Sequence, residues 1–254
     1  MPEDRSPRRR PKTKRQEIPF PPGTFWRIVV AALPLLFVAV GTYFLLRSSL
    51  LTVQHVQVRG TETLDNGSLI EIAGLGGRSM IDLPKDDLRA RLLEVPQIKS
   101  VAVSRHWPQT VVLKIHERQP VAIWSVAGRD YMVDPEGVVL ASGGARGPVP
   151  RILEPQTDRV MGPGDRVHPD AIAFARKIYE ESPKFLNQSV KELEYRAGVG
   201  VTAVFSNDMR VTFGDERAYD YKVAVLSKLL DQLAAKKYTP RAVDLRFGER
   251  VTYE

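Results

Sequence analysis

Four histidines, His55, His106, His116 and His168, are the side chains best suited to hold a metal or move a proton near neutral pH. No two of them stand three or four residues apart, so spacing alone builds no ligand pair, and exposed strand histidines are the default reading. The run Gly74-Leu75-Gly76-Gly77 has the glycines of a phosphate loop without its lysine and hydroxyl. It also follows a helical stretch rather than a strand, and reads as a turn. No G-x-S-x-G nucleophile elbow occurs. The chain has no cysteine, which excludes a thiol nucleophile, a zinc–thiolate site and a disulfide framework. Asp86 and Asp87 are paired carboxylates, but they fall in the first turn of an expected helix, where the helix dipole accounts for them. No catalytic set emerges, and no cofactor, metal or small-molecule substrate is expected.

Two charged residues come closer to suggesting a site. Arg105 and Glu117 are expected to face each other across a hairpin as an ion pair, a structural role worth little if exposed. Trp107, at the hairpin tip, reads either as an anchor for a partner or as a cap on the core. The elements that position them follow from period-2 alternation. Val101 and Val103 share one face, and Val111, Leu113 and Ile115 share one face beyond Trp107-Pro108-Gln109. Pro108 suits the turn because it lacks a donor, and Pro120 breaks the ladder before Val121–Trp124 restart it.

Net charge is +7, but its distribution is uneven. Residues 1 to 27 hold eight basic and three acidic groups, whereas residues 48 to 254 hold 28 basic and 27 acidic ones. The excess therefore belongs to the tail, which argues against a nucleic-acid-binding face on the folded part. The tail, 1 to 27, reads as disordered and cytoplasmic, either as a tether to anionic lipid or simply as a topology signal. Residues 28 to 46 run without a charge. As a helix they reach roughly 28 Å, close to a bilayer core of about 30 Å. The run is too long for a signal peptide and lacks a cleavage site. The basic residues ahead of it place the N-terminus inside and everything after residue 47 outside.

From 47 to 119 the order expected is strand, helix, helix, strand, strand. The first strand ends at Gly60; Asp65 or Asn66 caps one helix, Gly74 closes it, and Pro84 opens the next. After Pro120 the pattern changes to many strands with two helices, one opening at Pro169 and one over Arg217–Lys237. Asp134-Pro135-Glu136-Gly137 is a turn, and Ala141–Gly164 reads as loop. Val243, Leu245 and Phe247 alternate with Asp244 and Arg246 in a last strand, and Gly248-Glu249 bends the chain before Val251-Thr252-Tyr253.

Several of these strings resemble the bacterial FtsQ/DivIB cell-division family. They are Val56-Gln57-Val58-Arg59-Gly60, Arg105-His106-Trp107-Pro108-Gln109-Thr110 and Glu117-Arg118-Gln119-Pro120-Val121-Ala122-Ile123-Trp124, with Val133-Asp134-Pro135-Glu136-Gly137-Val138-Val139 and Asp244-Leu245-Arg246-Phe247. The resemblance implies an α+β chain: a cytoplasmic tail (1–27), one transmembrane helix (28–46), a POTRA domain (47–119) and a mixed β domain with two helices (120–254). It implies a non-enzymatic scaffold in the cell (inner) membrane at the division septum, with division proteins of the FtsB/DivIC and FtsL type as partners, the septal synthase complex among the candidates, and lipid held through the span and tail. The last β edge would take up a partner strand. Asp244, Arg246, Phe247, Val251 and Tyr253 are then the contact candidates, with Val243 and Leu245 as core. Gly60, Arg105, Trp107, Pro108, Glu117, Arg118 and Pro120 are motif residues of structural duty. The alternative class is a membrane-anchored wall hydrolase.

Overall fold

Residues 98–106 and 110–117 do form the expected antiparallel pair, with Val101 opposite Ile115 and Val103 opposite Leu113. The computed structural model describes residues 24–47, 49–143, 147–247 and 251–254. It divides the chain into two units, residues 1–52 and 53–254. In the first, α1 runs over Thr24–Arg47, with Pro34 inside it, and a 3-10 turn follows at Ser49–Leu51. Four residues assigned to the tail, 24–27, thus open a helix; the rest of the tail lies outside the described residues. The expected span begins and ends on Ile28, Leu45 and Leu46, whose side chains also lie outside them. Among the described residues no helix is long and apolar enough to cross a membrane.

The second unit holds two sheets. The smaller is built from β1 (His55–Arg59), α2 (Asn66–Ala73), α3 (Lys85–Leu93), β2 (Ile98–His106) and β3 (Thr110–Glu117). β3 is central, parallel to β1 and antiparallel to β2. Asp65 caps α2 by accepting from the Ser68 amide at 2.7 Å, and Gly74 ends it in the left-handed conformation. Pro84 stands one position ahead of where the sequence placed it, at the N-cap of α3. Leu69, Ala73, Leu88 and Leu92 on the helices close over Val101, Val111, Leu113 and Ile115 on the sheet.

The larger sheet has nine strands among the described residues. Its elements are β4 (Ala122–Val126), β5 (Arg129–Val133), β6 (Val139–Ser142), β7 (Arg151–Glu154), α4 (Pro169–Leu186), β8 (Val190–Arg196), β9 (Gly200–Phe205), β10 (Arg210–Gly214), α5 (Tyr219–Ala235), β11 (Ala242–Asp244) and β12 (Thr252–Tyr253). The spatial order is β12-β11-β10-β9-β8-β7-β4-β5-β6. Its core centres on Trp124, Phe174, Phe205 and Phe213, all essentially fully buried. β7 corrects the reading of Ala141–Gly164 as loop: Ile152 is fully buried between β4 and β8. Only Ile152 and Leu153 are apolar there, and prolines stand on either side, so no alternation marked the strand.

Gly60 has a plain steric reason. It sits at φ +85° against β3, where an added Cβ would collide with the Ile115 carbonyl. Gly60→Ala is expected to destabilise the protein by about 1–3 kcal/mol, read by urea denaturation. An unchanged midpoint would remove the steric account.

Candidate partner interface

The C-terminal border differs from the expectation. Strand character ends at Asp244, and Arg246 and Phe247 lie in a turn rather than on the edge. The Arg246 amide donates to Asp244 Oδ1 at 3.0 Å, and its guanidinium grips the same carboxylate at 2.7 and 3.0 Å. Burial raises the Asp244 pKa, but the Arg246 hydrogen bonds outweigh it and hold the carboxyl below its ordinary value. The guanidinium also stacks 5.0 Å from the centre of the exposed Phe247 ring. Val243 and Leu245 are buried, as read from the alternation. The free side of β11 is not open: β12 pairs with it, Val243 opposite Tyr253 and Asp244 opposite Thr252. Gly248-Glu249, expected to bend the chain, lies outside the described residues.

The outer edge therefore belongs to β12. Ala242 and Glu254 exchange both main-chain hydrogen bonds, at 3.0 and 3.3 Å. Antiparallel pairs alternate, so Val243 and Tyr253 form a pair without them, and the N–H and C=O of Tyr253 point away from β11. The Tyr253 ring is half exposed and meets Tyr238 edge-on at 6.3 Å. Val251 is half-buried against the large core. Tyr238 has no signal in the sequence, since it follows α5 in a short loop without periodicity.

Beside Arg246 and Phe247 lies an open cleft of about 700 Å³, lined in part by His168, Asp170, Tyr195 and Lys222. Lys222 is buried, and its Nζ donates to the Asp215 carbonyl at 2.8 Å. Among the described residues no three His, Asp or Glu side chains converge to hold a metal.

Of the remaining motif residues, Glu117, Arg118 and Pro120 lie around the joint between the two sheets, and Arg105, Trp107 and Pro108 lie at the other end of β3. Arg105 and Glu117 do not pair. The register sets Arg105 opposite Val111 and Glu117 opposite Ile98, so the expected ion pair is excluded by position. Arg105 instead donates to the carbonyls of Ile81 and Leu83, at 3.0 and 2.8 Å. Glu117 is buried and accepts from the amides of Glu62, Thr63 and Leu64 and from the Thr63 hydroxyl at 2.6 Å. Burial raises its pKa, but those donors prevail and leave it lowered. Arg118 reaches across to the turn between β5 and β6, meeting Asp134 at 2.5 Å and Glu136 at 2.6 Å. Lys99 meets Glu136 at 2.8 Å, and Gln97 donates to the Leu140 carbonyl at 3.1 Å. Pro120 lies just before β4, where the chain enters the large sheet. Pro108 lies in the β2–β3 turn, as expected, but Trp107 beside it is 59% exposed and does not cap the core.

Residues 51–118 match the family model for the FtsQ-type POTRA domain, and residues 122–246 match that for the FtsQ/DivIB C-terminal region. The chain belongs to the FtsQ/DivIB family of cell-division proteins. It is 28% identical to cell division protein FtsQ of Chloroflexus aggregans over 190 residues, 74% of this chain and 70% of that one. It is 25% identical to the FtsQ of Chloroflexus aurantiacus over 222 residues, 84% and 81% of the two chains. With the FtsQ of Zymomonas mobilis it shares 32% identity over 120 residues, 46% of this chain and 35% of that one. The POTRA sheet and the FtsQ-type β sheet are thus joined through Arg118.

Two outcomes test that joint. Asp134 is almost fully buried, so Arg118→Ala leaves a carboxylate without its cation and is expected to cost on the order of 3 kcal/mol, measured by denaturation. Lys99 first, and then Arg118, hold the Glu136 carboxyl down at about 2 from 4.5. A lowered folded pKa gives stability that is complete above 4.5 and lost as pH falls towards 2. The melting difference between the native chain and Glu136→Gln should therefore be largest above pH 4.5 and shrink below it. A difference constant with pH would contradict the assignment.

Proposed function

We infer that this FtsQ/DivIB-family chain is a non-enzymatic, membrane-anchored scaffold that captures other division proteins, of FtsB/DivIC and FtsL type, by strand addition. The observation that carries the reading is the outward-facing main chain of Tyr253 on a terminal strand. The docking edge is accordingly β12, with Tyr253 on it and Val251 just ahead of it, while Arg246 and Phe247 offer side chains from the neighbouring turn. Capture at this edge would hold the partners where septal wall synthesis is regulated.

Helix α1 is the anchor in this reading. Its 24 residues span about 36 Å. Leu33, Leu35, Phe37, Val38 and Phe44 are all exposed on it, which suits lipid contact. The basic tail then stays cytoplasmic, and residues 47–119 and 120–254 act as two extracytoplasmic domains at the septum. No specific observation favours a wall hydrolase.

Proline at Tyr253 removes only the outward donor, whereas proline at Glu254 removes the inward one that holds β12 on β11. Tyr253→Pro is expected to weaken capture of an FtsB/DivIC-type partner about tenfold, a loss of about 1.4 kcal/mol, with the melting temperature unchanged. Glu254→Pro should weaken capture as well and loosen the C-terminus. Full capture by Tyr253→Pro in a pull-down would sink strand addition, and improved capture by Glu254→Pro would mean that the partner displaces β12.

A further inference from the structure

The three tryptophans have different surroundings. Trp124 is fully buried and donates its indole N–H to Glu154 at 2.8 Å, and Trp26 belongs to α1. Trp107 stands exposed at the β2–β3 tip, and among the described residues its indole nitrogen has no hydrogen-bond partner. Ile81, whose carbonyl is held by Arg105, is also exposed at that end of the small sheet. Core packing explains neither side chain.

Register sets where this end lies along the chain. β1 runs parallel to β3 with His55 opposite Thr110, so β1 starts at the end where the hairpin turns. The amides of Gln54 and His55 both donate to the Gln109 carbonyl, at 3.0 and 3.2 Å. The tip is thereby bonded to the first residues that follow the anchor. Only seven residues lead from Arg47 to Gln54, at most about 25 Å of extended chain, and a 3-10 turn at Ser49–Leu51 shortens that reach.

We propose that Trp107, with Ile81, is a lipid-interface anchor that docks the β2–β3 tip on the headgroup layer of the membrane entered by α1. The proposal rests on α1 being the anchor. An indole suits this layer because its ring is apolar and its N–H is a donor for headgroup oxygens. Arg105 and Lys85 share the surface beside the tip with Asp86 and Asp87, so the formal charges there cancel. Docking therefore takes a neutral bilayer as readily as an anionic one.

The test uses the full chain carrying Trp26→Phe, reconstituted in phosphatidylcholine nanodiscs with lipids spin-labelled at the headgroup. Buried Trp124 serves as the internal reference. Tryptophan emission is expected to be quenched by the label, and Trp107→Phe in the same background should abolish that quenching. Nanodiscs containing phosphatidylglycerol should give the same result. A chain that enters the nanodiscs with Trp107 unquenched overturns the proposal and gives the residue to a protein partner. Quenching only with phosphatidylglycerol overturns it in favour of anionic-headgroup recognition. A chain that fails to enter the nanodiscs sinks the anchor reading instead.

Discussion

β3 is hydrogen-bonded along both sides, to β1 in parallel and to β2 in antiparallel, and that double pairing fixes the positions of the functional elements around it. Its first residues lie beside the entry of the chain from α1, because a parallel neighbour must start at the same end. Its last residue, Glu117, gathers three amides and a hydroxyl from the loop between β1 and α2. The next residue, Arg118, is hydrogen-bonded through its own amide to Gln97 and through its side chain to the β5–β6 turn. One strand thus orients the tip at one end and the larger sheet at the other.

The joint is made with charge rather than with apolar surface. A buried ion pair contributes little net stability, since desolvation offsets most of the attraction, but it is costly to break and demanding in geometry. Asp134 is also the acceptor for the amides of Glu136 and Val138, so the Arg118 contact and the turn conformation depend on each other. The exposed Lys99–Glu136 bridge adds less by itself. Such a joint holds one orientation of the two sheets without a large hydrophobic interface.

Much of this was legible in the residues. The β2–β3 hairpin, α4 opening at Pro169 and the caps of α2 all follow from alternation or capping chemistry. The supposed Arg105–Glu117 pair failed for want of register: a turn at 107–109 sets Arg105 against Val111, far from Glu117. β7 was hidden because two apolar residues between prolines carry no period, and only neighbours on both sides make them a strand. Of the C-terminal contact candidates, Tyr253 lies on the border strand, while Arg246 and Phe247 lie in the turn after β11. Alternation through Val243, Leu245 and Phe247 continues past the point where Arg246 folds back onto Asp244. That local charge contact, not side-chain polarity, ends the strand.

The two borders of the large sheet are treated differently. At β6, Val139 donates to Asp165 and accepts from Gly164, so a loop covers the edge. At β12 the outward groups of Tyr253 have no such cover among the described residues. Two main-chain hydrogen bonds contribute roughly 1–3 kcal/mol net, whereas micromolar capture takes about 8 kcal/mol. In the proposed strand addition, pairing sets register and direction, and the larger share of affinity comes from side chains. Tyr253, its neighbour Tyr238 and Phe247 leave large aromatic surface in water around this border, and Phe247 opens onto the cleft near Lys222. In that reading, burial of these rings supplies part of the affinity that the strand leaves.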